Sequence, residues 1–162
     1  MLIVPSDPLN PRRVDAHFAP EAVAARDLGV PFALVDHDAL AVSGDPVQAV
    51  ARVPAAEAGT VEAVYRGWML RTEQYAALDV ALRARGVVLR TTPAQYRTAH
   101  ELPGWYPALA ALTPVSVWTV GPLREDFDRA RALLGPGPAV LKDYVKSYAD
   151  PRTMPTGPAV AV

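Results

Sequence analysis

At 162 residues, 51% hydrophobic and 20% charged, the chain has the composition of one ordinary globular domain or two small ones, not of a disordered segment. A net charge of −1, with acids and bases interspersed, leaves no basic stripe to neutralise a phosphate backbone and excludes nucleic acid as a main partner. There is no cysteine, hence no disulfide, thiolate nucleophile or thiolate metal site; with no signal-peptide core in MLIVPSDPLNPRR and no window of membrane-spanning length, the expectation is a soluble, cytoplasmic protein without a membrane partner.

Taken in order, LIVPSD reads as a short buried strand that ends in a loop at Pro5 and the turn residues after it. VDAHFAPEAVAARDLG predicts a helix from about Pro20, with Ala22, Val23 and Leu28 available to pack and Gly29 as its stop. PFALVDHD is a second strand that delivers Asp36, His37 and Asp38 to a loop, with His37 exposed. AVARVP and EAVYRGWML are further strand candidates, the second supported by Val64, Tyr65 and Trp68. TEQYAALDVALRAR places Tyr75, Leu78, Val80 or Ala81 and Leu82 at helical spacing, with Gly86 as cap, and VVLRTTP is another buried strand closed by Pro93. Alternation of strand and helix from Leu2 to Thr92 is the signature of a parallel sheet with crossover helices, a doubly wound α/β architecture. Ligands of such sheets bind beyond the carboxyl ends of the strands, so Ser6, Asp7, Asp36, His37, Arg66, Gly67, Thr91 and Thr92 all fall on the candidate rim.

Beyond Thr92 the pattern changes. PAQYRTAHEL predicts a short helix with Pro93 in its first turn, GWYPALAALTP a helical or irregular piece, SVWTVG a strand, REDFDRARALLG an amphipathic helix ended by Gly135, and PAVLKDYVKS a strand. The last fifteen residues, YADPRTMPTGPAVAV without its Ser147 neighbour, have no periodicity and read as a disordered or unpacked tail.

Arginine occurs fourteen times and lysine twice, at Lys142 and Lys146. On a strand, alternation puts Lys142, Tyr144 and Lys146 on one face, the two lysines about 13 Å apart at the usual rise per residue. A lysine ammonium projected into a cleft suits a nucleotide phosphate; the alternative is that the pair protects an exposed sheet edge. Tyr144 either lines that pocket or packs on the core. Arg66, at a strand end, is either a substrate or phosphate contact or half of a surface ion pair. The three histidines, His17, His37 and His100, lack paired ligand spacing, so no metal site is expected, and Ser6 and Ser116 lack a nucleophile-elbow context. REDFDRARALL reads as a solvated face with i,i+4 pairs.

The succession of RTTP, AQYRTAHEL, LTPVSVW, FDRARALLG and GPAVLKDYVKS resembles the entry into the ATP-grasp fold. The closer resemblance is to the ATP-grasp group named for two arginines and a lysine, through LPGWYPAL and VLKDYVKS. It implies a Rossmann-like pre-ATP-grasp parallel sheet over residues 1–92, the start of an ATP-grasp nucleotide-binding subdomain over 93–147, and the tail over 148–162. It implies ATP and magnesium as cofactors and carboxylate–amine ligation through an acyl-phosphate as the family's reaction. Carried over by position, Lys142 or Lys146 would contact ATP, Lys142 preferred as deeper in the strand, with Tyr144 beside it; Arg66, Ser6 and Asp7 would face the substrate. The family's magnesium-holding acids and asparagine have no counterpart after Ser147, so this chain alone is expected at most to bind nucleotide weakly, as a truncated or partial protein, unless a separate chain supplies the carboxyl-terminal half. The rival expectation is a non-enzymatic α/β binding or scaffold module.

Overall fold

The structure, a computed structural model, describes residues 1–119, 121, 123–143 and 159–161, with 142, 143 and 159–161 described by their backbone. It divides into two compact units, Met1–Pro93 and Ala94–Val162.

The first unit is a mixed α/β fold on a mostly parallel sheet. β1 (Leu2–Asp7) lies between β3 (Phe32–Val35) and β4 (Val61–Tyr65), and β5 (Val87–Leu89) extends the sheet beyond β4, all parallel. α1 (Ala19–Asp27) connects β1 to β3, and α4 (Thr72–Arg83) connects β4 to β5. Between β3 and β4 the chain runs through α2 (His37–Ala41) and α3 (Pro46–Ala49), and passes from one side of β1 to the other. The apolar run at the start of the chain is buried as that central position demands: Ile3 and Val4 are fully inaccessible, and Val35, Ala63, Val87 and Leu89 pack with them.

Three local readings are corrected. LIVPSD does not end in a plain loop, because β2 (Asn10–Val14) folds back antiparallel on the end of β1, with Ser6 opposite Val14 and Asp7 opposite Asn10. Asp7 makes that turn: its Oδ1 accepts the backbone N–H groups of Leu9 and Asn10 at 2.8 and 3.2 Å, which is the local chemistry that lets Asp compete with regular structure. AVARVP is no strand; Asp45 caps α3 by accepting the Gln48 N–H at 2.9 Å, Pro46 starts it, and Val50 and Val53 are buried from the turns that follow. In α1 the packing side chains are Ala22 and Ala25, whereas Val23 and Leu28 face solvent, since a nine-residue helix offers the sheet only one stripe.

The predicted α4 packs Tyr75, Leu78, Ala81 and Leu82 inward and leaves Val80 exposed. Gln74 fixes its start, accepting the Arg71 backbone N–H at 2.9 Å and donating to the Ala41 carbonyl at 3.0 Å, so the helix is tied to α2. The Tyr75 hydroxyl donates to the Thr91 carbonyl at 2.8 Å and ties it to the end of β5.

In the second unit α5 (Pro93–His100) and α6 (Leu102–Leu109) approach closely: a Cβ on Gly104 would lie 2.8 Å from the Thr98 Cα, so only glycine fits there. A 3-10 turn over Ala110–Leu112 follows. β6 (Val117–Trp118), β7 (Leu141–Asp143) and β8 (Ala159–Ala161) form an antiparallel sheet with β8 in the middle, and α7 (Arg124–Leu134) lies between β6 and β7 in sequence. Part of the stretch read as an unpacked tail is therefore strand, at the β-branched Val160 and its neighbours. α7 carries the i,i+4 pair Arg124–Asp128 at 3.6 Å and the i,i+3 pair Arg129–Asp126 on its solvated face; Arg131 donates to the carbonyls of Gly135 and Gly137 where the helix stops. Among the described residues no helix is long and apolar enough to cross a membrane.

Leu78→Ala should destabilise the protein by about 2–5 kcal/mol, through lost burial plus the cavity left in a packed interior, while Val80→Ala on the same helix should change it by less than about 0.5 kcal/mol. Urea denaturation of the two variants checks this, and equal effects would contradict the packing of α4.

Candidate functional site

The carboxyl ends of all four parallel strands lie at one edge of the first unit, and the chain reverses its winding direction about β1. That switch point is where such sheets open a crevice. Ser6 and Asp7 stand at the end of β1, Asp36 and His37 after β3, Arg66 and Gly67 after β4, and Thr91 and Thr92 after β5, so the topology gathers every predicted rim residue at this edge.

Their individual surroundings differ. Ser6 is buried. Asp7 holds the β1–β2 turn through Oδ1. Arg66 is anchored by its backbone N–H, which donates to the Ile3 carbonyl at 2.8 Å. Its guanidinium pairs with Glu21 in the first turn of α1 at 3.1 Å and lies 5.9 Å from the centre of the Phe18 ring. The arginine side chain is 57% exposed and the glutamate 34%, so water screens the pair and it adds little stability.

Behind Arg66 stands a group of rings that sequence reasoning missed. Trp68 donates its indole N–H to Asp15 Oδ2 at 3.1 Å, and Asp15 Oδ1 accepts the His17 backbone N–H at 2.8 Å, capping a 3-10 turn over Ala16–Phe18. His17 lies against the indole at 4.7 Å between centroids and a 31° tilt, and Phe18 meets it edge-on at 5.1 Å. Gly67 is required by this turn: a Cβ would fall 2.5 Å from the Tyr65 ring, which folds over it to donate its hydroxyl to the Trp68 carbonyl at 2.8 Å. The signal in the sequence was YRGW itself, a cation and an indole on either side of a glycine at the end of a strand.

His37 is not exposed. Asp36 caps α2 by accepting the Ala39 N–H at 3.0 Å, which converts the expected loop into a helical turn and rotates His37 inward. Its Nδ1 is buried without a hydrogen-bond partner among the described residues. Burial of the ring lowers its pKa below the usual 6.5, against the opposing pull of the carboxylates of Asp38, Asp15 and Asp36. His100, on α5, is lowered in the same direction by burial, opposed by Glu101.

In the second unit Lys142 lies on β7, its backbone paired with Val160 of β8. Tyr144 and Lys146 lie outside the described residues. Ser116 is held structurally: its N–H donates to the Tyr106 hydroxyl at 3.1 Å and its Oγ to the Pro114 carbonyl at 3.0 Å. Among the described residues no three histidine, aspartate or glutamate side chains are grouped to hold a metal ion.

No family model matches the chain, and no curated protein matches it. Solved structures do. One is a RimK domain ATP-grasp protein from Sphaerobacter thermophilus, with a TM-score of 0.53 at 20% identity. The likeness is one of fold. It covers 99% of this chain and 63% of the other, so these residues span less than two thirds of that protein's length.

His37 gives the site a pH dependence of definite sign. A group whose pKa is lower in the folded than in the unfolded chain contributes stability that is complete above about 6.5 and declines as pH falls below it, until the folded form also takes up the proton. His37→Gln should therefore flatten the loss of unfolding midpoint between pH 7.5 and 5; a variant curve parallel to that of the wild type would contradict the burial of the ring.

Proposed function

We propose that these residues are the amino-terminal portion of an ATP-grasp-type protein, whose activity is ATP-dependent carboxylate–amine ligation. The observation that carries this reading is the fold likeness to an ATP-grasp protein along 99% of the chain. The order of motifs leading to VLKDYVKS supports it independently of the fold.

In this reading Lys142, on β7, contacts the nucleotide phosphates, with Lys146 and Tyr144 as further contacts, because an ammonium on a strand is a compact point charge that a phosphate recognises. Arg66 is the substrate contact at the switch point of the first unit, with Ser6 and Asp7 beside it. The described residues do not fit magnesium, since no suitable donors are grouped among them. A separate chain bearing the acid and asparagine motifs is the proposed source of the metal-holding half, and the cytoplasm is the proposed compartment. The engagement of Asp7 in its turn and of Arg66 with Glu21 favours the second reading, a non-enzymatic α/β binding module that keeps its sheet and interaction surface.

Calorimetric titration with magnesium and ATP should give weak binding to the wild type and binding about tenfold weaker to Lys142→Ala, the loss expected for one charge-assisted contact. No heat at millimolar ATP, or equal binding by both proteins, overturns the nucleotide assignment and leaves the binding-module reading.

A further inference from the structure

Three features of the rim combine into a ligand class that neither the motifs nor the fold likeness assigns. The first is a cation held ready: the Arg66 backbone is fixed to β1, while its exposed guanidinium is engaged by Glu21 in a pair that water already screens. An incoming carboxylate competes with Glu21 at small cost, and the planar guanidinium can receive it bidentately.

The second is a braced set of rings. Trp68 is fixed at its indole N–H by Asp15, at its carbonyl by the Tyr65 hydroxyl, and at its edge by Phe18. His17 lies with one side on this indole, and its backbone is pinned by the same Asp15 carboxylate. His17 is itself exposed, whereas Phe18 is buried and Trp68 half-buried, so the most exposed ring of the group is an imidazole backed by a braced indole. Aromatic stacking on such a preordered surface loses little conformational entropy.

The third is adjacency. Phe18 touches both partners: its ring meets His17 at 4.9 Å and lies 5.9 Å from the Arg66 guanidinium carbon. Cation and ring surface are thus separated by one phenyl ring.

We propose that this rim binds a small molecule carrying a planar ring joined by a short aliphatic spacer to a carboxylate, the ring stacked on His17 and the carboxylate paired with Arg66 in place of Glu21. The proposal rests on the reading of Arg66 as a substrate contact and is independent of the nucleotide assignment. Its chemistry is recognition alone, with no bond made or broken.

The test uses the full chain without nucleotide and 3-phenylpropionate as probe, with 3-phenylpropanamide and propionate as comparison arms, followed through the indole N–H resonance of Trp68 and the ring resonances of His17. Trp105 and Trp118, in the other unit, serve as internal references. The expected result is a saturable shift with 3-phenylpropionate, with affinity about fivefold lower for the amide and for Arg66→Gln. His17→Ala should weaken binding similarly, and His17→Phe, which keeps an exposed ring, should retain it. His17 is a surface residue, so these variants report binding in a folded protein, and unchanged methyl resonances of Ile3 and Val4, buried in the same unit, verify it. Equal affinity for propionate and 3-phenylpropionate overturns the ring contact while leaving Arg66 as an anion contact. Equal affinity for the acid and the amide overturns the role of Arg66. No saturable shift with any probe overturns both.

Discussion

The first unit depends on the pairing of β1 with a parallel neighbour on each edge. Leu2 to Pro5 pair with β3, Leu2 and Ile3 with β4, and the side chains of Ile3 and Val4 are sealed between the layers. Once this strand is fixed, its backbone places the functional edge as well. The Ile3 carbonyl accepts the Arg66 N–H at 2.8 Å and the Pro5 carbonyl accepts the Asp15 N–H at 3.0 Å, so two residues distant in sequence are set at the rim by one strand. Buried ladder hydrogen bonds of this kind are hard to give up, because an orphaned group would carry its full desolvation cost.

From those anchors the rim assembles through polar contacts to rings. Asp15 is the common partner, capping the 3-10 turn with one oxygen and holding the Trp68 indole with the other. Its charge also reaches His37, which connects the start of α2 to the turn that follows β2. The first unit therefore spends polar groups on fixing aromatic surfaces, while leaving the Arg66 guanidinium in an exposed and exchangeable pair with Glu21. A rigid surface with a replaceable counter-ion is a suitable arrangement for recognition, because the ordering cost has been met before a ligand arrives.

Much of the fold was legible because its strongest elements are periodic or continuous in apolar character. The run at Leu2, the helix around Tyr75, Leu78 and Leu82, and the arginine-rich helix ending at Gly135 are all where their patterns place them. AVARVP failed because Asp45 and Pro46 form a helix start just upstream, and a capped turn buries two valines as well as a strand does. Val23 and Leu28 failed because apolar character alone does not say which stripe of a short helix meets the sheet. The β1–β2 hairpin was hidden by Pro8 in its turn and by Pro11 in β2, a position that proline tolerates because β2 lies at the edge of the sheet.

By itself the sequence determined the fold class, the alternation of strand and helix, and the list of residues at strand ends, since these follow from local periodicity and turn chemistry. It also singled out Lys142 and Arg66, since charge and scarcity can be read without coordinates. Only the tertiary structure decided what each rim residue faces: that Glu21 pairs with Arg66, that Asp15 holds Trp68, that His37 is turned inward, and that Ala159–Ala161 completes a sheet with β6 and β7. The physical reason is that such partners lie tens of residues apart and meet only when parallel pairing brings the strand ends to one edge. No local pattern encodes which of several carboxylates will be nearest once that has happened.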